Sequence, residues 1–147
     1  MKRIIDIVGS LIGIVITIPI FLIVGICIKM TDGGPVIYQQ TRLTKNGKKF
    51  QIYKFRTMVQ NAEADGKARL ASEGDPRILP IGRVLRATRL DELPQIYNIL
   101  KGDMSIVGPR PERPELAAEL EKEIPEFSFR LQVKAGLTGY AQVYGKY

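Results

Sequence analysis

The apolar N-terminal segment constrains this chain most. From Ile4 to Ile28 run 25 residues with a single charge, Asp6, and the flanking residues Lys2, Arg3 and Lys29 are basic. A straight helix of that length is about 37 Å long, which exceeds the roughly 30 Å hydrocarbon core of a bilayer. A cleavable signal peptide has a shorter apolar region, of about 7 to 15 residues, followed by small residues. We therefore expect a membrane helix that the protein retains.

Pro19 leaves two paths open for this segment. Inside a helix it removes one backbone hydrogen bond and clashes with the carbonyl of Val15, which predicts a break or kink at Ile18 and Pro19. The arm before it would be only about 22 Å long, too short to span. Basic residues at both ends suit a re-entrant hairpin, whereas the larger number of basic residues after the segment suits a single kinked span. Both paths place the polar part, residues 30–147, in the cytoplasm.

The composition excludes several classes of catalytic and metal site. The 147 residues suit one domain with a modest core, and the formal net charge is +7. The sequence has no histidine, which excludes histidine-dependent catalytic triads and histidine-ligated zinc. The single cysteine, Cys27, lies in the apolar segment, so no disulfide framework or thiolate cluster is expected. Carboxylates, lysines or tyrosines must carry any acid–base chemistry.

A basic hairpin is predicted after the membrane segment. Two β-rich runs flank Asn46-Gly47, a turn pair that favours positive φ. Lys54 and Arg56 alternate with the aromatic residues of the second run and are expected to project from the opposite face. This basic edge is predicted either to contact substrate phosphate or to face lipid headgroups.

Helical patterns fill most of the remaining chain. Residues 59–73 have the composition of a solvated helix, two short amphipathic helices follow, and another helix is expected over 114–123. Pro94 fits the first turn of the second amphipathic helix, which makes Asp91 or Glu92 its N-cap or a residue that flanks it. The predicted apolar faces of the two amphipathic helices are Ile81, Val84, Leu85 and Thr88, and Leu93, Ile96, Tyr97 and Leu100.

Two adjacent carboxylates, Asp91 and Glu92, stand out in "TRLDELPQ". A helix N-terminus favours ionised carboxylates and also attracts phosphate. Neighbouring helical residues point about 100° apart, so these two acids cannot act as a facing pair on one atom, and we expect them to have separate tasks. An ordinary N-cap with a flanking acid would have the same local sequence.

Arginines near the acids point to phosphate chemistry. Arg83, Arg86 and Arg89 precede the acids, and Arg110 lies between two prolines that stiffen its presentation. Guanidinium groups bind phosphate in bidentate fashion, so this combination suits a diphosphate with a divalent cation. Oxygen ligands without histidine favour Mg²⁺, with Mn²⁺ as the alternative. Ordinary surface ion pairs would account for the same residues.

Together the motifs resemble a known family. The apolar segment with its internal proline, "KFRTM", "RLDELPQIYNILKGDMSIVGPRPE" and "KAGLTGYAQV" are similar to the bacterial sugar transferases, the small monotopic phosphoglycosyl transferases. The resemblance covers nearly the whole chain. It implies transfer of a phosphosugar from a UDP-sugar to undecaprenyl phosphate with release of UMP, as the first step of glycoconjugate synthesis.

The resemblance also assigns roles to residues. Asp91 is expected to attack the β-phosphate and to form a covalent aspartyl intermediate, with Mg²⁺ between its carboxylate and the diphosphate. Glu92 is expected to assist at the metal or in proton handling. Arg86 and Arg110 are expected to contact phosphate, and we add Lys54 and Arg56 from the basic hairpin to the predicted phosphate contacts.

The implied architecture is α/β. It consists of a re-entrant membrane helix over residues 1–29 and a small cytoplasmic catalytic domain over 30–147, with a β-hairpin and several helices, some lying along the membrane surface. The expected location is the cytoplasmic face of the bacterial inner membrane, and the expected partners are the donor, the lipid acceptor and membrane lipid, not nucleic acid. A homo-oligomer is left open. Gly9 and Gly13 form a small-residue pair of the kind that packs against another helix, although apolar segments contain such pairs by chance.

The chain departs from the family pattern at its C-terminus. It reads Tyr144-Gly145-Lys146-Tyr147 where the family commonly has Asn-Gly-Arg, and family members usually continue further. We therefore expect a shortened form. The alternatives are a catalytically inactive remnant of the transferase, a hydrolase that uses the same intermediate, and a membrane-anchored basic module that binds anionic lipid or nucleic acid.

Overall fold

The computed structural model describes residues 1–62 and 74–145, and its elements confirm an α/β fold with a long N-terminal helix and a β-hairpin. Most of the helix expected over residues 59–73 lies outside the described residues. The α-helices and strands, in chain order, are α1 Lys2–Asp32, β1 Ile37–Leu43, β2 Lys49–Phe55, α2 Pro80–Thr88, α3 Gln95–Lys101, β3 Ser105–Val107, α4 Pro114–Glu123, β4 Gly136–Thr138 and α5 Tyr140–Tyr144. Short 3₁₀ turns cover Lys45–Gly47, Leu90–Glu92 and Pro125–Gln132.

The strands form two small sheets. β1 and β2 pair as the predicted hairpin, and the turn between them has positive φ at Asn46 (59°) and Gly47 (70°). β3 and β4 pair in parallel, with Ser105 opposite Gly136 and Val107 opposite Thr138. The predicted turn is confirmed, and the predicted helix over 114–123 is confirmed as α4.

The chain divides into two compact units, each with its own apolar core. The first unit comprises Met1–Ile16, Gln39–Tyr53 and Gln95–Tyr147, and the second comprises Thr17–Tyr38 and Lys54–Pro94. Both units contain part of α1. The core of the first unit is Phe50, Ile52, Ile99, Met104 and Ala135, and the core of the second is Val24, Ile28, Phe55 and Leu85.

Helix α1 has an inverted pattern of burial. Its polar side chains Asp6 and Ser10 are buried, whereas most of its apolar side chains are exposed. Water-exposed helices of soluble proteins have the opposite pattern, so this surface is suited to lipid. The segment Lys2–Asp32 is long and apolar enough to cross a membrane, with a hydropathy of 3.0 over its most apolar window. The exposed apolar residues are Ile4, Ile5, Val8, Leu11, Ile12, Val15, Ile16, Ile18, Leu22, Ile23, Ile26 and Met30.

The backbone remains helical through Ile18 and Pro19 and continues to Asp32. The chain therefore does not leave the helical conformation at the proline. The re-entrant path of the segment stays a prediction.

Polar contacts fix the N-terminal end of α1 within the first unit. The Asp6 carboxylate accepts hydrogen bonds from Ser105 Oγ and from the backbone N–H of Ile106, both at 3.0 Å. Arg3 donates to the carbonyls of Ile99 and Leu100 at 2.5 and 2.6 Å, near the C-terminus of α3. The one acid of the apolar segment is thus a structural anchor.

Gly9 and Gly13 lie on the packed side of the same arm. A Cβ added at Gly9 would lie 2.9 Å from Ile106 Cδ1, and one added at Gly13 would lie 3.4 Å from Ile96 Cδ1. The small-residue pair therefore accommodates isoleucines of its own chain.

The predicted faces of the two amphipathic helices were partly wrong. In α2, Leu85 and Gly82 are buried but Val84 is 55% exposed. In α3 the buried residues are Gln95, Asn98 and Ile99, whereas Tyr97 is 55% exposed. Asn98 replaces Tyr97 on the buried side because its amide is bonded to the backbone of β2: it accepts from Tyr53 N–H at 3.0 Å and donates to Gln51 O at 2.7 Å.

Candidate active site

The two carboxylates lie in a tight turn that follows α2. Helix α2 ends at Thr88, and Arg89 adopts a left-handed conformation with φ 57°. The 3₁₀ turn Leu90–Glu92 follows, and α3 begins only at Gln95. The acids therefore flank the N-terminus of α3, which is one of the two predicted positions, and neither of them is its N-cap, because they form a turn of their own. Left-handed backbone at a non-glycine residue costs about 1 to 3 kcal/mol, and such residues often occur at functional sites.

Glu92 is held by Lys54. Lys54 Nζ and Glu92 Oε1 are 3.0 Å apart, and the two side chains are only 18% and 13% exposed. Because the ion pair is largely removed from water, it is screened less than a surface pair. Lys54 is the residue before the end of β2, and within the second unit it acts as the structural partner of an acid. Its predicted contact with substrate phosphate stays a prediction.

Asp91 has a different environment from its neighbour. Burial raises the pKa of the Asp91 carboxyl above its ordinary value, the positive charges of Lys54 and Arg86 oppose that rise, and the negative charge of Glu92 adds to it. Within the part of the chain that the structure describes, no side chain forms an ion pair with this carboxylate. Asp91 is thus a partly desolvated carboxylate on which two positive charges, those of Lys54 and Arg86, act.

Of the three arginines before the acids, Arg86 is the one whose charge acts on Asp91. Its Nε donates a hydrogen bond to Thr57 Oγ1 at 2.9 Å, and Thr57 is buried. Arg83 and Arg89 are exposed. The arginine that the resemblance selected is therefore the one that the second unit places beside the acids.

Arg56 serves a structural purpose in the second unit. Its guanidinium forms a bidentate ion pair with Asp32 at the end of α1, including an Nη1–Oδ2 distance of 2.7 Å. It also donates to the carbonyls of Pro35 (2.6 Å) and Met58 (3.2 Å), and the residue is 5% exposed. The expected outward projection of Arg56 was wrong, because all three of its nitrogens already donate to protein oxygens. A contact with substrate phosphate through Arg56 is not supported by this geometry.

Arg110 belongs to the first unit. It lines a shallow depression whose wall includes Glu112, Phe127 and Arg130. Its backbone carbonyl accepts a hydrogen bond from Arg130, whose guanidinium lies 4.3 Å from the centre of the Phe127 ring. The depression is also lined by Glu112 and Glu121, so it carries charges of both signs, and the contact of Arg110 with phosphate stays a prediction.

The residues at the dyad suit Mg²⁺ only together with a substrate. Among the described residues, no group of three or more acidic, cysteine or histidine side chains could hold a metal ion. Mg²⁺ is commonly held by one or two carboxylates and by substrate phosphates, and it keeps several waters. Asp91 and Glu92 fit the protein's share of such a site.

Sequence reasoning missed two residues of this region. Thr57 lies in the "KFRTM" motif but received no role, and Gly82 was not singled out. The signal that was available was the proximity of Thr57 to two basic residues of the hairpin, but only the tertiary structure brings Thr57 to Arg86.

Comparisons with known proteins support a family assignment. Residues 1–147 match the family described as bacterial sugar transferase. An Aeromonas hydrophila protein named UDP-N-acetylgalactosamine-undecaprenyl-phosphate N-acetylgalactosaminephosphotransferase is 44% identical over 143 residues, which are 97% of this chain and 34% of that protein. A Bacillus subtilis protein provisionally named undecaprenyl-phosphate N-acetylgalactosaminyl 1-phosphate transferase is 48% identical over 131 residues, 89% of this chain and 73% of that protein.

A third relative carries a different sugar in its name. The UDP-glucose:undecaprenyl-phosphate glucose-1-phosphate transferase of Caulobacter vibrioides is 42% identical over 144 residues, 98% of this chain and 54% of that protein. The chain thus spans about a third of the first of these relatives, about half of this one and nearly three quarters of the Bacillus protein. All three names contain undecaprenyl phosphate, but they differ in the sugar.

Proposed function

The chain belongs to the bacterial sugar transferase family, and from that membership we propose that it transfers a phosphosugar from a UDP-sugar to undecaprenyl phosphate and releases UMP. The observation that carries the proposal is the cluster of Asp91, Glu92, Lys54 and Arg86 within one compact unit. Two acids and two cations with no histidine suit a phosphoryl transfer better than a hydrolysis that needs a neutral base. The lipid acceptor and the sugar donor of this proposal are taken from the names of the relatives.

In the first step Asp91 acts as the nucleophile. A carboxylate oxygen of Asp91 attacks the β-phosphorus of the UDP-sugar, the bond from that phosphorus to the oxygen bridging to the α-phosphate breaks, and UMP leaves with the bond's electron pair. The sugar phosphate is then held as an acyl phosphate on Asp91. Partial desolvation favours this role, because a carboxylate stripped of water is a stronger nucleophile.

In the second step the lipid takes the phosphosugar. A phosphate oxygen of undecaprenyl phosphate attacks the same phosphorus, the Asp91 carboxylate leaves, and an undecaprenyl diphosphosugar is formed. A covalent intermediate lets one site use a water-soluble donor and a lipid acceptor in turn. Mg²⁺, when bound, neutralises phosphate charge. Arg86 stabilises the charge of the transferring phosphoryl group, and Glu92, fixed by Lys54, supplies a carboxylate of constant orientation.

We propose that the active site lies on the cytoplasmic face of the inner membrane and that α1 is a re-entrant helix. Support comes from the anchors at its ends: Lys2 and Arg3 donate to backbone carbonyls between residues 99 and 107 of the first unit, and Asp32 is paired with Arg56 in the second. A helix that crossed the bilayer once would carry Lys2 and Arg3 away from those partners.

Single cysteines test this topology. In a Cys27→Ser background, Lys2→Cys and Thr31→Cys should react with a membrane-impermeant maleimide from the same side of sealed vesicles. Labelling from opposite sides would contradict the re-entrant path and would establish a single span.

The reaction is tested with protein in nanodiscs, Mg²⁺ and a panel of UDP-sugars, by measuring UMP with and without undecaprenyl phosphate. We expect acceptor-dependent UMP release that falls at least about 1,000-fold in Asp91→Asn, as losses of nucleophiles do. A sugar-phosphate adduct on the wild-type protein should appear by intact mass without acceptor. Glu119→Gln, on the exposed face of α4, is the matched control and should keep full activity.

Other outcomes identify other functions. Steady UMP release without acceptor would indicate a hydrolase, and donor binding without UMP would indicate an inactive remnant. Binding of anionic vesicles that survives Asp91→Asn, without either activity, would indicate a membrane-anchored binding module. Each of these results would refute the transferase.

A further inference from the structure

Thr57 occupies a position that the proposed reaction does not yet use. It follows β2, is 7% exposed, and contacts α2 through two different groups. Its carbonyl accepts from the backbone N–H of Leu79 at 2.9 Å, next to the start of α2. Its hydroxyl accepts from Arg86 Nε at 2.9 Å. One buried residue therefore holds both the helix backbone and the arginine side chain.

Gly82 allows the backbone of α2 to lie directly against the carbonyl of Thr57. A Cβ at Gly82 would lie 2.2 Å from the carbonyl oxygen of Thr57, so only glycine lets α2 rest directly on that carbonyl. Arg86 lies four residues further along the helix and thus on the same face. The close approach at Gly82 is what brings Arg86 within hydrogen-bond distance of the Thr57 hydroxyl.

The bond to Thr57 also determines which edge of the guanidinium is presented. Because Arg86 Nε donates to Thr57, the edge formed by the two terminal nitrogens is the part of the guanidinium that can bind a second partner. In the described part of the chain, the structure shows no acceptor for those two nitrogens. A guanidinium held by Nε and open at its terminal edge is arranged for bidentate contact with a phosphate.

We propose that Thr57 is a positioning residue for the donor diphosphate: its buried hydroxyl fixes the Arg86 guanidinium so that the terminal edge binds phosphate. This inference rests on the proposed function and names a residue that acts through Arg86 without touching the substrate. An arginine without the bond would sample several rotamers, and ordering one on binding costs affinity.

Threonine variants at two positions test the inference. Thr57→Val removes the hydroxyl at nearly constant shape, and Thr57→Ser keeps it. Thr41→Val is the matched control, since Thr41 Oγ1 accepts a side-chain N–H from Gln51 at the same 2.9 Å, in the hairpin of the first unit. We expect Thr57→Val to raise KM for the UDP-sugar about 10-fold, equivalent to about 1.4 kcal/mol, with a smaller change in kcat. Thr57→Ser and Thr41→Val should stay within about twofold of wild type.

A double-variant cycle separates positioning from a general structural role. In an Arg86→Lys background, Thr57→Val should have no further effect on KM, because Thr57 acts through the guanidinium. Equal effects of Thr57→Val in both backgrounds would overturn the inference, as would wild-type kinetics in Thr57→Val.

Failure of the proposed function would be seen separately, as wild-type protein that releases no UMP with any donor. In that case, hydrogen exchange of the Arg86 Nε–H, followed by NMR, tests without an activity assay whether Thr57 positions Arg86. We expect exchange at least about 10-fold faster in Thr57→Val than in wild type, and equal rates would refute the positioning of Arg86 by Thr57.

Discussion

Replacing Lys54 by methionine should destabilise the protein through Glu92. The two charged atoms are 3.0 Å apart, and the side chains are 18% and 13% exposed. Removing one partner of a fully buried pair costs about 3 to 5 kcal/mol, because the other charge is left desolvated, whereas exposed pairs contribute about 0 to 1 kcal/mol. This pair is largely but not completely buried, so we expect Lys54→Met to lower the free energy of unfolding by about 2 kcal/mol.

Thermal and denaturant unfolding in detergent measure this loss. For a chain of this size, about 2 kcal/mol corresponds to a fall in Tm of about 6 °C. The double variant Lys54→Met/Glu92→Met should recover most of the stability, since the uncompensated carboxylate is then gone. Lys122→Met, at an exposed residue of α4, is the control and should cost less than about 0.5 kcal/mol.

The same variants distinguish the two tasks considered for Lys54. If Lys54 acts by holding Glu92, the stability loss is large in the single variant and small in the double variant. A single variant as stable as wild type, with a raised KM for the donor, would refute the ion-pair reasoning and would favour the direct phosphate contact predicted from the sequence.

Three further changes have clear expectations. Asn98→Ala leaves two partly buried backbone groups of β2 without their partner and should cost about 1 to 3 kcal/mol, measured by unfolding; a cost below about 0.5 kcal/mol would contradict the role of its amide. Arg89→Gly should raise Tm by a few degrees, because glycine adopts φ 57° without strain, and an unchanged or lower Tm would argue against strain there. The hydrogen bonds from Arg77 lower the pKa of Asp75 to about 2, so the stability that this pair contributes is present above about pH 4 and is lost as the pH falls towards 2. Asp75→Asn should therefore flatten the acid side of a stability–pH profile, and an unchanged profile would contradict this.

Features with a local cause could be predicted from the sequence. Asn46-Gly47 adopts the positive φ angles that its residue types favour, and helix α4 begins at Pro114 because proline suits the first turn. The apolar length of α1 likewise required no tertiary information. In each case the signal lies within a few residues or in a simple sum over the segment.

Features that depend on distant partners could not be predicted. Asn98 is buried because the backbone of β2 lies beside it, so the apolar periodicity of α3 pointed to the wrong face. Arg56 was expected to project outward by strand alternation, but Asp32, 24 residues earlier, draws it inside. A buried polar residue with a remote partner looks like a surface residue in the sequence.

The candidate site shows the same division. Asp91 and Glu92 were singled out from their residue types and spacing, whereas Arg86 was selected among three arginines by the resemblance to the family. Thr57 was not, because a threonine gains significance only from the guanidinium that it contacts at 2.9 Å. Its partner lies 29 residues further along the chain, beyond any local pattern.

The two adjacent acids illustrate how environment separates residues that are chemically similar. Successive residues of a 3₁₀ turn point about 120° apart, so Asp91 and Glu92 necessarily face different surroundings. Glu92 pairs with Lys54 at 3.0 Å, whereas burial raises the pKa of Asp91 and the positive charges of Lys54 and Arg86 only partly offset that rise. Two neighbouring carboxylates in such different environments can take different roles. A fixed, charge-compensated acid suits metal or proton handling, and a partly desolvated acid suits attack on phosphorus, so the turn itself explains why the nucleophile is expected to be Asp91 and not Glu92.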